Sequence, residues 1–192
     1  MKDLNAPLRP ATAADGPALA DFIHAASEGL AFYTWTKNAE PGEDPWQRGI
    51  ARQAATAEKW VIAEENGTAV AGLRGELLPE EPEPIGDDFE PTFRPLQELE
   101  NAAPGTWYVH VLATREDRRG QGWGSRLLTL AEEIARGMAA PALSIIVADN
   151  NAGARRLYER FGFREVESRP MVKGAWQSPG RNWILMLKPL AD

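Results

Sequence analysis

The chain has no cysteine among its 192 residues. That absence excludes a disulfide framework, cysteine-ligated zinc and thiol nucleophilic catalysis, and no metal is expected. Long apolar runs are missing too: none approaches the ~18 residues of a membrane-spanning helix. Met1 to Pro10 lacks an apolar stretch followed by a small-residue cleavage site, so the expectation is an unexported, cytoplasmic protein with no membrane partner. Positive charge is scarce, 21 Lys and Arg against 28 Asp and Glu for a formal charge of -7. Nucleic acid is therefore not an expected partner, because phosphate neutralisation by basic residues supplies most such affinity. What is present, 43% hydrophobic and 26% charged residues, is ordinary globular composition. It suffices for one domain with a sizeable core, taken as residues 1–192.

Leu8 to Pro10 reads as a short extended start, and Thr12 stands three residues before Asp15, the spacing of a reciprocal helix cap. Leu19, Phe22, Ile23, Ala26 and Leu30 then recur at helical steps, with His24 beside the stripe and an end near Gly29. Phe32 to Trp46 is aromatic-rich but broken by Pro41, Gly42 and Pro45, and it reads as a loop into a short helix through Arg52 and Ala57. Its Phe32, Tyr33, Trp35 and Trp46 either wall a pocket or belong to the core. Trp60 to Glu65 and Thr68 to Glu76 are β-prone runs joined by Asn66-Gly67, a two-residue turn signal for a hairpin.

From Leu77 to Pro104 there are six prolines and eight acids, with Arg94 the sole basic residue. No central strand tolerates that composition, so an acidic insertion on the surface is expected, with one helical turn at Leu96 to Glu100. Its field either gathers a cationic amine or is simply solvated. Thereafter the expected order is a strand from Thr106 to Ala113, a glycine turn, a helix from Trp123 to Met138, and a buried strand around Leu143 to Val147. A helix from Asn151 to Phe161, a strand from Phe163 to Glu167, a loop at Pro170 to Gly180 and a strand from Trp183 to Lys188 complete it. The last strand and loop are the expected edge of a homodimer.

Strand, then Arg118-Arg119-Gly120-Gln121-Gly122-Trp123-Gly124-Ser125, then an amphipathic helix, is an anion site on physical grounds. Glycine lets backbone approach a ligand, and the amides and dipole of a helix N-terminus favour phosphate. The spacing is neither the dinucleotide fingerprint nor a Walker loop, which needs a closing Gly-Lys-Ser/Thr. A merely tight connection would give the same glycines.

About thirty residues on, Asn151, Ala154, Leu157, Tyr158, Gly162 and Phe163 stand in a pattern that resembles the Asn-x-x-Ala-x-x-Leu-Tyr-x-x-x-Gly-Phe signature of the GNAT acyltransferase superfamily. The glycine turn resembles that family's pyrophosphate loop, with Arg119, Gly122 and Gly124 at the pattern positions. The resemblance covers Trp107 to Phe163 best. It implies an α/β (α+β) fold: a mixed central sheet of six to seven strands flanked by helices, with splayed central parallel strands.

The cofactor so implied is acetyl-CoA, with CoA as product. By this likeness Leu112, Ala113 and Thr114 would pair with the pantetheine arm, and the amides of Arg119, Gly120, Gln121, Gly122, Trp123, Gly124 and Ser125 would hold the pyrophosphate. Trp123 is larger than the small apolar residue often found there, and packing on the sheet would account for it. Asn151 would contact the cofactor, or simply cap its helix. Tyr158 lies two turns further on the same face; the resemblance makes it the acid that protonates the departing sulfur, while core packing is its bland reading.

The implied reaction is direct attack of an amino group, of a small amine or a peptide, on the thioester, with strand amides polarising the carbonyl. The base is left open among His110, Glu76 and Asp149, the last equally explained by turn chemistry. Two other classes remain: a CoA-binding regulatory module without turnover, and a protein-interaction domain that uses exposed tryptophans and the acidic stretch. Cofactor binding separates the third from the other two.

Overall fold

The structure is a computed structural model and describes residues 6–190. The chain enters as strand β1 (Leu8–Pro10) and turns at Asp15, which accepts from the Thr12 amide (2.8 Å) and hydroxyl (3.0 Å) and from the Arg9 guanidinium (2.8 and 2.9 Å). Helix α1 (Gly16–Ala26) follows and buries Leu19, Ala20 and Phe22. It stops earlier than the apolar stripe predicts, because Glu28 and Gly29 take φ of 52° and 85°.

Leu30 therefore opens a new helix, α2 (Leu30–Lys37). This corrects the loop expected from Phe32: the breakers Pro41, Gly42 and Pro45 lie beyond Lys37, and burial of Leu30 and Trp35 holds the preceding two turns. Helix α3 (Pro45–Ala54) is capped by Asp44, which accepts from the Trp46 amide at 2.8 Å. A Cβ at Gly49 would collide with the Trp35 ring, so the close crossing of α2 and α3 requires glycine there.

Strands β2 (Trp60–Glu65) and β3 (Thr68–Leu77) form the expected hairpin, with Asn66 and Gly67 at φ of 50° and 75° as the twist of a two-residue turn demands. Then come α4 (Arg94–Asn101), β4 (Trp107–Thr114), α5 (Trp123–Gly137), β5 (Ala142–Ala148), α6 (Ala152–Phe161), β6 (Arg164–Pro170) and β7 (Asn182–Pro189). The strands make one mixed seven-stranded sheet in the order β1-β2-β3-β4-β5-β7-β6. Strands β4 and β5 are parallel, and their pairing covers only Trp107–Val109 against Leu143–Ile145.

The chain forms two compact units. One runs up to Arg74 and takes in Val111–Leu127. Its core gathers Leu19, Phe22, Trp60, Ile62, Val111 and Ala113. The other takes in Gly75–His110 and the chain from Leu128 onward. There β5 is covered on both faces, as its apolar run predicts, and pairs over its full length with β7. A buried hydrogen bond of 2.7 Å joins Thr106 Oγ1 to Ser144 Oγ, satisfying the two polar groups that this packing encloses.

Two expectations are corrected in this second unit. The insertion is more than a surface loop: it carries the two-turn helix α4, whose Leu99 is fully buried, and α4 packs on β6 and β7 with Arg169 Nε on Glu98 Oε2 at 2.9 Å. The dense acids and prolines around it hide an amphipathic helix there, which proline at its first turn permits. The Trp183 to Lys188 strand is not an edge for a dimer, because β7 is paired on both sides, by β5 and by β6.

Candidate active site

In the first unit the glycine turn is held by its neighbours. Arg118 Nε donates to Glu65 Oε2 at the end of β2 (3.0 Å), and Arg118 Nη1 to Asp117 (3.0 Å). Gly120 and Gly122 take φ of 77° and 86°, and a Cβ at either would meet nothing within 4 Å. Both positions thus combine a backbone that favours glycine with open space above it. The helical ladder of α5 starts with the Arg126 amide on the Gly122 carbonyl (3.1 Å), so the amides just before it carry no intrahelical acceptor. Arg119, Gly120 and Gln121 are exposed, and Arg119 makes no ion pair among the described residues. This is a cradle of donors, with one exposed positive charge, at the positive end of a 15-residue helix. It fits a pyrophosphate. Trp123 turns inward, 4% exposed, with the Arg126 guanidinium 4.8 Å from its ring centre, so only its backbone faces the cradle.

Just before the turn, β4 alternates. Val109, Val111 and Ala113 are buried, while His110 is exposed and Leu112 and Thr114 are half-buried. Leu112, Ala113 and Thr114 thus lie where sequence placed them, at the end of the strand.

In the second unit the chemistry gathers around β4, the end of β3 and α4. Nδ1 of His110 is 3.9 Å from Glu76 Oε1, and its ring stacks on Tyr108 at 5.6 Å. Tyr108 is 5% exposed. Burial above all, then the charges of Glu100 and Glu76 and the neighbouring Tyr158, pushes its phenol far up. Glu100, on α4, is pushed up to about 7, first by burial and then by Glu76 and Glu83. Tyr158, on α6, is also 5% exposed and packs on Phe163 at 5.8 Å. Burial alone raises its phenol well above the usual value. Neither phenolic hydroxyl makes a hydrogen bond among the described residues.

Sequence reasoning therefore picked His110, Glu76 and Tyr158, and the structure brings them into one neighbourhood. It missed Glu100 and Tyr108. Tyr108 has a legible signal, the period of two that puts it on the His110 face of β4. Glu100 had none, since its position depends on how the insertion folds.

Two candidates have structural work. Asp149 accepts from the Arg181 and Asn182 amides (2.9 and 3.1 Å) and from Asn182 Nδ2 (3.1 Å), tying the end of β5 to the start of β7. Burial works to raise its carboxyl, and these bonds outweigh it and hold the group below its usual range. That spent, ionised acid is unsuited to take a proton. Asn151 caps α6, its Oδ1 accepting from the Ala154 amide at 3.1 Å.

The sequence model of the acetyltransferase (GNAT) family matches residues 28–163, and the chain belongs to this family. A GCN5-related N-acetyltransferase of Arabidopsis thaliana, described as chloroplastic, is 33% identical over 93 residues, covering 48% of this chain and 30% of that protein. An acetyltransferase of Agrobacterium fabrum is 38% identical over 68 residues, covering 35% of this chain and 48% of that protein. The chain thus spans half or less of the length of these relatives. Among solved structures, yncA of Salmonella typhimurium, determined with its cofactor acetyl-CoA, superposes with a TM-score of 0.59 at 20% identity, covering 98% of this chain and 96% of that one. The fold is that of the family.

Proposed function

We propose that the protein is an acetyl-CoA-dependent N-acetyltransferase acting on a small amine. The observation that carries this reading is the open cradle at Gly120 and Gly122 ahead of α5, in a chain of this family. The amides of Gly120 to Ser125 would hold the pyrophosphate, with Arg119 adding charge, and Leu112 to Thr114 would offer backbone to the pantetheine arm. When bound, acetyl-CoA supplies an activated acetyl group and a thiolate leaving group.

The chain's own residues divide the remaining work. An amine reaches the site as ammonium, and His110 would take its proton, a role supported by Glu76 3.9 Å away, which would steady the imidazolium. Tyr158 would donate a hydrogen bond to the departing sulfur. Its burial refines the role expected from sequence: a phenol held above its usual ~10 is a weaker acid than a thiol at ~8.5, so it stabilises the thiolate without surrendering its own proton.

The test is thiol release from acetyl-CoA on addition of a panel of small primary amines. Amine-dependent release, slowed at least tenfold in Tyr158→Phe, supports the reading. Tight acetyl-CoA binding with no amine-dependent release from any of them would favour a CoA-responsive module instead.

A further inference from the structure

The chain between β4 and α5 is stitched to both strands of the β2–β3 hairpin. On the β3 side the Arg115 amide donates to the Val70 carbonyl at 2.9 Å. On the β2 side Arg118 Nε donates to Glu65 Oε2 at 3.0 Å, next to the Asn66-Gly67 turn. Nη1 of the same guanidinium meets Asp117, at 3.0 Å on Oδ2 and 3.3 Å on the carbonyl. Arg115 in turn holds Asp117, with Nε on Oδ1 at 3.1 Å and Nη2 on Oδ2 at 3.3 Å. Two arginines and two acids make a neutral quartet, and the charge of Arg118 is balanced within it.

Beyond Arg118 the support stops. The Arg119 amide reaches back to the Glu116 carbonyl (3.3 Å), and the next backbone bond is that of the Arg126 amide on the Gly122 carbonyl (3.1 Å). Between them the amides of Gly120, Gln121 and Gly122 donate to nothing among the described residues. Two glycines at φ of 77° and 86° with no bond of their own would sample many conformations if the turn were not fastened at its ends. Donors that are already fixed bind an anion better than donors that must be ordered as it arrives. At the helix end the fastening is the buried Trp123 indole. At the strand end the one side-chain bond to another element, among the described residues, is that of Arg118 to Glu65.

We propose that Glu65 is a positioning residue for the anion cradle: gripping Arg118 from the hairpin, it fixes the three free amides in the direction of the pyrophosphate, and neither side chain touches the ligand. The proposal takes the identity of that ligand from the acetyl-transfer reading above. It divides the work of two adjacent arginines. Arg119, exposed and without an ion pair among the described residues, is available to phosphate, whereas Arg118 serves the turn. The clamp needs the planar fork of arginine, because Nε meets Glu65 while Nη1 meets Asp117, and the single ammonium of lysine does not reproduce that pair of directions.

The experiment joins ¹⁵N relaxation of the ligand-free protein to calorimetric titration with acetyl-CoA, on wild type, Glu65→Ala, Arg118→Ala, Arg118→Lys and the double alanine variant. Both side chains are half-exposed, and an ion pair of that kind contributes little to folding. Backbone order parameters of Gly120, Gln121 and Gly122 are expected above about 0.8 in wild type and below about 0.6 in Glu65→Ala and Arg118→Lys. Each single variant is expected to weaken acetyl-CoA binding about tenfold, and the double variant no further, as for groups that act as one. Glu65→Gln, which still accepts from Nε, is expected to recover most of the binding. Should Glu65→Ala fail to fold, Arg118→Lys carries the same two readouts. Unchanged order at the turn, or full binding by Arg118→Lys, which would mean that binding uses a charge and not a clamp, overturns the proposal and leaves the acetyl-transfer reading standing. Order lost at the turn in Glu65→Ala, with no acetyl-CoA binding by wild type, upholds the clamp and overturns acetyl transfer.

Discussion

Nδ1 of His110 lies 3.9 Å from Glu76 Oε1, across the β3 and β4 ends of the sheet, and the imidazole rests on the Tyr108 ring. As the proposed proton acceptor, His110 should matter to rate more than to fold, because it is 38% exposed. His110→Ala is expected to lower kcat at pH 7 by about 10²-fold, within the usual range for a general base. It should also change the shape of the pH–rate profile while leaving Tm within about 1 °C, as for a surface substitution. An unchanged profile removes His110 from the chemistry.

Tyr158→Phe separates cofactor binding from turnover. Loss of one hydrogen bond to the leaving sulfur is expected to reduce kcat about 10- to 100-fold. The acetyl-CoA Kd should stay within about threefold, because the proposed binding rests mainly on the cradle amides. Equal losses in kcat and Kd would mean that the tyrosine shapes the pocket instead.

Glu100 makes a stability prediction with a definite sign. Its folded value, about 7, lies above the ~4.3 of an unfolded chain, so the folded state binds more protons and loses stability as pH rises between those values. Glu100→Gln should therefore stabilise the ligand-free protein at pH 8 by about 2 kcal/mol, several degrees in Tm, and leave it unchanged at pH 4. Thermal melts of both proteins at the two pH values measure this.

The Arg9–Asp15 pair predicts the opposite trend at acid pH. Hydrogen bonding by Arg9 chiefly, with burial opposing and Thr12 helping, holds the Asp15 carboxyl at about 2. Its contribution is complete above the unfolded ~3.9 and is lost as pH falls towards 2. Because Arg9 is 36% exposed, solvent screening limits the effect to about 1 kcal/mol. Asp15→Asn should lower stability by that amount at pH 7 and have no effect at pH 2, read from urea midpoints.

The parts of the fold with local signals were legible in sequence. Asn66-Gly67 marks its hairpin because positive φ at two successive positions is rare outside that turn, and the 151–163 signature places α6 with its cap at Asn151 and its Gly162 at φ 104°. Elements defined by distant packing were not. Helix α2 exists because Trp35 finds Gly49 on α3, α4 because Leu99 has a hydrophobic partner surface, and β7 is interior because β6 adds outside it. The site divides in the same way. Tyr158 and the glycine turn are sequence-local motifs, whereas the acidic setting of Glu100 arises only when Asn101 clamps Glu83, eighteen residues away.

The central claim, acetyl-CoA at the glycine turn, is most directly tested by calorimetric titration of wild type, Gly122→Asp and Gly122→Asn. Asp and Asn both tolerate the positive φ at this position, and open space awaits either side chain. They differ by a charge aimed at the pyrophosphate. Wild type is expected to bind one acetyl-CoA, Gly122→Asn to bind within about tenfold of it, and Gly122→Asp to lose more than a further tenfold, the cost of a like charge at a phosphate cradle being over 1.4 kcal/mol. Equal affinities for all three folded proteins, or no binding by wild type, would contradict the account.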